Sequence, residues 1–105
     1  MKKLFRIIES QDWNIEDEGD SYRISKYSNA GEDFSFSISK GTLTEMKEAI
    51  IDYAEDFDAG EHAAFWVEHR NVAGTPQSIR ELLDDADSID KMLQELSEKL
   101  EEELK

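Results

Sequence analysis

The sequence predicts an α+β domain: an N-terminal antiparallel sheet of three or four strands, followed by two or three helices packed on one face. Two observations carry this. Apolar residues recur every second position in "DFSFSISK" and every third or fourth position from residue 41 onward, the repeats of a half-buried strand and an amphipathic helix. Glycine and asparagine fall between the apolar runs of the first forty residues, where strand reversals need them. With 105 residues the chain is a single domain, 1–105, on length alone. It divides into a sheet-forming half, 1–40, and an acidic helical half, 41–105.

The opening "KKLFRII" is compatible with a strand but apolar on both faces, and it would supply a fourth strand. "DWNIE" adds a short strand before the "EDEGD" turn. In "SYRISKY", Tyr22, Ile24 and Lys26 share one face, while Arg23, Ser25 and Tyr27 share the other. Phe34, Phe36 and Ile38 then alternate with Ser35, Ser37 and Ser39. Asn29 and Gly31 between the two runs are suited to positive φ, so 21–39 is predicted to be an antiparallel hairpin.

Helical signals follow. Thr42 and Glu45 have capping-box spacing, and Leu43, Met46, Ile50, Tyr53, Ala54 and Phe57 define an amphipathic helix over about 43–57. Asp58 and Glu61 repeat the cap for a second helix over about 59–70. "NVAGTP" interrupts the chain at Gly74 and Pro76, and Ser78 with Glu81 caps a third helix. In that helix Ile79, Leu82, Ala86, Ile89, Leu93, Leu96 and Leu100 form a heptad stripe. Leu83 and Met92 widen it, which suits packing on a sheet as well as pairing with another helix. The acids of "EEELK" oppose the helix dipole, and fraying is expected there.

Composition restricts function. The absence of cysteine excludes disulfides and thiolate chemistry and fits a reducing cytoplasm. No signal-peptide core precedes Glu9 and Asp12, and no apolar run approaches the roughly 20 residues of a membrane span. The formal net charge is −14, distributed as eight acids and six bases in 1–40 but eighteen acids and six bases in 41–105. Such a surface repels nucleic acid and anionic membranes and attracts basic proteins.

The acid-rich "DYAEDFDAGEH", Asp52–His62, invites a metal reading. If Asp56 opened a calcium loop, Asp58 would be correctly placed. The required glycine would then fall one position late relative to Gly60, and the required glutamate would be Val67. His62 and His69 share a helix face but lie about 10 Å apart along it, too far for one zinc. Asp58 with His62 is better spaced but lacks a third ligand. No nucleophile motif or phosphate loop is present, so no catalytic, metal or cofactor residue is assigned and the protein is read as a non-enzyme. Phe65, Trp66 and Trp13 raise the question of an aromatic binding patch; Trp66 is expected in the core with Ala63 and Val67.

What remains is the acidity. Glu45, Glu48, Asp52, Glu55 and Asp56 fall on one broad helix face, about one charge per 3.3 Å of axis at 1.5 Å per residue. A nucleic-acid strand carries a phosphate about every 3.4 Å. Between Glu81 and Glu103 ten acids accompany two lysines, net about one charge per 4 Å. Lys47, Lys91 and Lys99 cannot neutralise them, and unpaired like charges are a cost that folding alone does not require. The predicted contact residues toward a basic protein surface are Glu48, Asp52, Glu55, Asp56, Asp84, Asp85 and Asp87. The alternative is that the stripe over 79–100 mediates self-association, as a homodimer, with acidity serving solubility.

The run "AGEDFSFSISK", then "DYAEDFDAGEHAAFWVEHR", then "TPQSIRELLDDADSIDKMLQEL" resembles small acidic proteins of Gram-positive phages and conjugative elements over about residues 30–98. Some proteins of that kind inhibit restriction or CRISPR nucleases by occupying a nucleic-acid groove. The resemblance therefore implies an inhibitor that mimics nucleic acid, and it transfers no residue roles.

Overall fold

The computed structural model describes residues 2–29, 31–68 and 79–104. In chain order the elements are α1 (Lys2–Ser10), β1 (Asn14–Asp17), β2 (Ser21–Tyr27), β3 (Asp33–Ser39), α2 (Leu43–Asp56), α3 (Ala59–Glu68) and α4 (Ile79–Glu103). The Gly74–Pro76 break, the Ser78 cap, His69 and the Trp66 side chain lie outside the described residues. The fold is α+β, with a three-stranded antiparallel sheet of order β1-β2-β3.

The first segment departs from expectation. "KKLFRII" belongs to a helix, because Leu4, Ile7 and Ile8 stand at i, i+3 and i+4 and all three are buried. Lys2, Lys3, Arg6 and Glu9 are exposed, and Phe5 is half-buried against the core. The end of α1 has the Schellman pattern: Trp13 N–H donates to Ile8 O at 3.2 Å, and Asp12 N–H to Glu9 O at 3.0 Å. Asp12 occupies the left-handed position with φ 66°. Trp13, next in the chain, is buried beside Phe34 and Phe36 in edge-to-face contact, so it is no part of an exposed patch.

The hairpin forms as the alternation predicts. Tyr22 pairs with Ile38, Ile24 with Phe36 and Lys26 with Phe34, placing these six side chains on the helix-covered face. Lys26 is accommodated there because its ammonium donates to Gln11 O at 2.8 Å and lies 5.8 Å from the Trp13 ring. Gly31 has the positive φ of the turn, at 87°, whereas Asn29 does not; Gly19 has it in the preceding turn. On the opposite face Arg23 bonds Glu16 at 3.2 Å, and Lys40 bonds Asp17 at 2.7 Å beyond the strand end.

Three helices lie beneath the sheet. α1 contacts β1 and α4, and α2 contacts α4 and β3, so the layer runs α1, α4, α2. The predicted capping box of α2 is present: Glu45 N–H donates to Thr42 Oγ1 at 3.1 Å and Thr42 N–H to Glu45 Oε1 at 3.0 Å. The Thr42 backbone N–H, and after it the Thr42 hydroxyl, hold the Glu45 carboxyl below its ordinary pKa. Asp58 caps α3, accepting from Glu61 N–H at 3.1 Å.

The heptad stripe of α4 is consumed inside the chain. Leu82, Ala86, Ile89, Leu93, Leu96 and Leu100 are buried, with Met92 beside them. Leu83 does not widen the stripe; it is 45% exposed. The helix runs through Glu103, with a Lys99–Glu103 ion pair at 3.1 Å in its last turn. Two contacts tie α2 to α4. Lys47 Nζ donates to Leu104 O at 2.8 Å, and Gln94 Nε2 to Ala54 O at 2.8 Å.

Candidate functional site

α2 buries Met46, Ile50 and Ala54 against the sheet and α4. Glu45, Glu48, Asp52, Glu55 and Asp56 consequently point the other way, and all five are exposed. Their spacing at i+3, i+4 and i+7 makes one continuous strip. In α4, Asp84, Asp87, Glu95, Glu98 and Glu102 are exposed on the side opposite the buried leucines, with Lys91 among them. Both strips face away from the sheet on neighbouring helices.

Asp85 does not belong to this surface. It is 6% exposed, because it precedes Ile89 and Met92 by four and seven residues and shares their side of the helix. The remaining predicted contact residues, Glu48, Asp52, Glu55, Asp56, Asp84 and Asp87, are exposed. Among the described residues none of these six has a cationic partner: the Lys and Arg ion pairs involve Glu16, Glu18, Asp17 and Glu103 instead. α2 carries the denser strip, at about 3.3 Å per charge along its axis. On α4 five acids and one lysine occupy the eighteen steps from Asp84 to Glu102, net about one charge per 7 Å. That is sparser than the whole-helix tally, which counts acids such as Asp90 that face α2.

His62 is engaged elsewhere. Its Nε2 lies 3.0 Å from Glu32 Oε2, with both side chains largely shielded, and its ring packs at 5.5 Å from Phe57 and 5.9 Å from Phe34. The contact ties the β2–β3 turn to α3. Asn29 N–H donates to Ser88 Oγ at 3.5 Å, tying the same turn to α4. Among the described residues no three histidine or carboxylate side chains converge as metal ligands. Asp58 serves as a cap rather than as a partner of His62. No described helix is long and apolar enough to cross a membrane. Of the aromatic trio, Phe65 is 52% exposed and Trp13 is buried.

No family model, curated protein or solved structure matches this chain.

Proposed function

We propose that the protein is a non-enzymatic, acidic binding protein of the cytoplasm that presents the outer faces of α2 and α4 to a basic groove. Its role is that of a nucleic-acid mimic inhibiting a DNA- or RNA-handling enzyme, of the anti-restriction or anti-CRISPR type found in phages and mobile elements. One observation carries the reading: six exposed carboxylates on two adjacent helices have no cationic partner among the described residues. Each like-charged neighbour three or four residues away costs a few tenths of a kcal/mol. A basic groove would neutralise that repulsion on binding, and steering by the −14 charge would speed the encounter.

The test is inhibition of DNA cleavage by purified restriction and CRISPR nucleases at low and moderate salt. The wild type is expected to inhibit at least one of them, less effectively as salt rises. Glu48→Lys, Asp52→Lys and Asp84→Lys combined should abolish that inhibition while leaving the circular dichroism spectrum unchanged. Undiminished inhibition by the triple variant would remove the mimic reading. Self-association through 79–100 is the weaker alternative, since the stripe that would mediate it is already covered within the chain.

A further inference from the structure

The sheet has two edges, and they are built differently. The β1 edge is four residues long, bears Glu16 and Asp17, and has α1 packed beside it. Short length and charge are the usual protections of an edge strand. The β3 edge has neither. It runs for seven residues, "DFSFSIS", without proline, lysine or any charge after Asp33.

Its free hydrogen-bonding groups can be assigned. Lys40 N–H donates to Asp20 O and Ser28 N–H to Glu32 O, and both pairs continue the β2–β3 register. In an antiparallel ladder bonded and non-bonded pairs alternate, so Phe34, Phe36 and Ile38 face β2. The backbone N–H and C=O of Ser35, Ser37 and Ser39 therefore point off the sheet, and their side chains are exposed. Among the described residues nothing else bonds to these groups.

The charge beside this edge indicates what would cover it. α2 lies under β3, with Tyr53 stacked on Phe36 at 4.4 Å. Lys47 and Ala54 mark the flank of α2 that meets α4. The opposite flank, toward the open edge, holds Ala49 and Tyr53. Glu45, Asp52 and Asp56 are its neighbours at helical spacing. A strand added to β3 would hang its helix-facing side chains over that flank, within the field of those carboxylates.

We infer that the β3 edge accepts an extended, basic segment of a partner protein by strand addition, with alternate arginine or lysine side chains directed at Glu45, Asp52 and Asp56. Main-chain hydrogen bonds supply affinity in this mode, and alternate side chains supply selectivity. A second copy of this chain fits less well, because two bodies of charge −14 repel. The inference deepens the acidic-surface reading and rests on it.

The probe is an eight-residue peptide alternating arginine and threonine, added at low salt to the isotopically labelled protein. The amides of Ser35, Ser37 and Ser39 are expected to shift and to exchange more slowly. Ser37→Pro removes an outward donor but no β2 bond, a position where edge strands tolerate proline. It should weaken the peptide about tenfold or more, as should Asp52→Asn with Asp56→Asn. Salt-sensitive binding that leaves the three serine amides unchanged and ignores Ser37→Pro would overturn strand addition while sparing the acidic-surface reading. Absence of peptide binding to the wild type would likewise overturn it, leaving nuclease inhibition to judge that reading separately. Concentration-dependent protection of the serines without peptide, lost in Ser37→Pro, would assign the edge to a second copy and overturn the basic occupant.

Discussion

Asp52→Asn should raise stability while weakening partner binding. Asp52 has Glu48 four residues before it, Glu55 three after and Asp56 four after, all exposed. None of the four has a cationic partner among the described residues. At about 0.2–0.5 kcal/mol per like-charged pair, removing three repulsions gains about 0.6–1.5 kcal/mol. For a domain of this size that raises the melting temperature by about 2–12 °C, on a scale of roughly 4–8 °C per kcal/mol. The assay is thermal unfolding of wild type and variant at about 20 mM and about 500 mM salt, between which the Debye length falls from about 20 Å to about 4 Å. The gain should be largest at low salt and should shrink toward zero at high salt. A variant that is destabilised, or whose gain ignores salt, would refute the claim that the strip is electrostatically strained and that folding does not ask for it.

Leu93→Ala, at the fully buried centre of α4, should cost about 2–5 kcal/mol by denaturant unfolding without changing the association state of the folded protein in sedimentation. Asp12→Gly should stabilise by up to about 1 kcal/mol, because φ 66° suits glycine and strains other residues; chemical denaturation measures it. The Glu45 carboxyl is held down by its bonds to Thr42. Its contribution is therefore present above the ordinary value of 4.5 and is lost as pH falls through the lower folded value. Acid titration of Glu45→Gln, which removes the titrating carboxyl itself, should show a shallower loss of stability on that limb than the wild type.

The parts of the fold legible in the sequence are those fixed by local chemistry. Alternating Phe34, Phe36 and Ile38 announce a strand, and Thr42 with Glu45 announces the start of α2. α1 was hidden because a nine-residue helix rich in isoleucine satisfies strand propensity equally well. Only the i, i+3, i+4 burial of Leu4, Ile7 and Ile8 separates the two. Asp85 turns inward, which a tally of charges ignores, although its spacing to Ile89 and Met92 places it on their side of the helix. The Glu32–His62 contact joins residues thirty positions apart, and no periodicity reports such a pairing. The acidic faces of α2 and α4 were visible as charge, but their placement on adjacent helices depends on which buried stripes meet.

The two bonds between α2 and α4 form a reciprocal latch. Gln94 from the middle of α4 satisfies Ala54 O in the last turn of α2, and Lys47 from α2 satisfies Leu104 O just past the end of α4. Carbonyls in these positions have no partner within their own helix. Sliding either helix by one turn would strip both at once, so the pair behaves as a single strut. Two helices joined by such a strut hold the spacing between their two rows of carboxylates fixed, so the binding proposed above would cost little freedom on association.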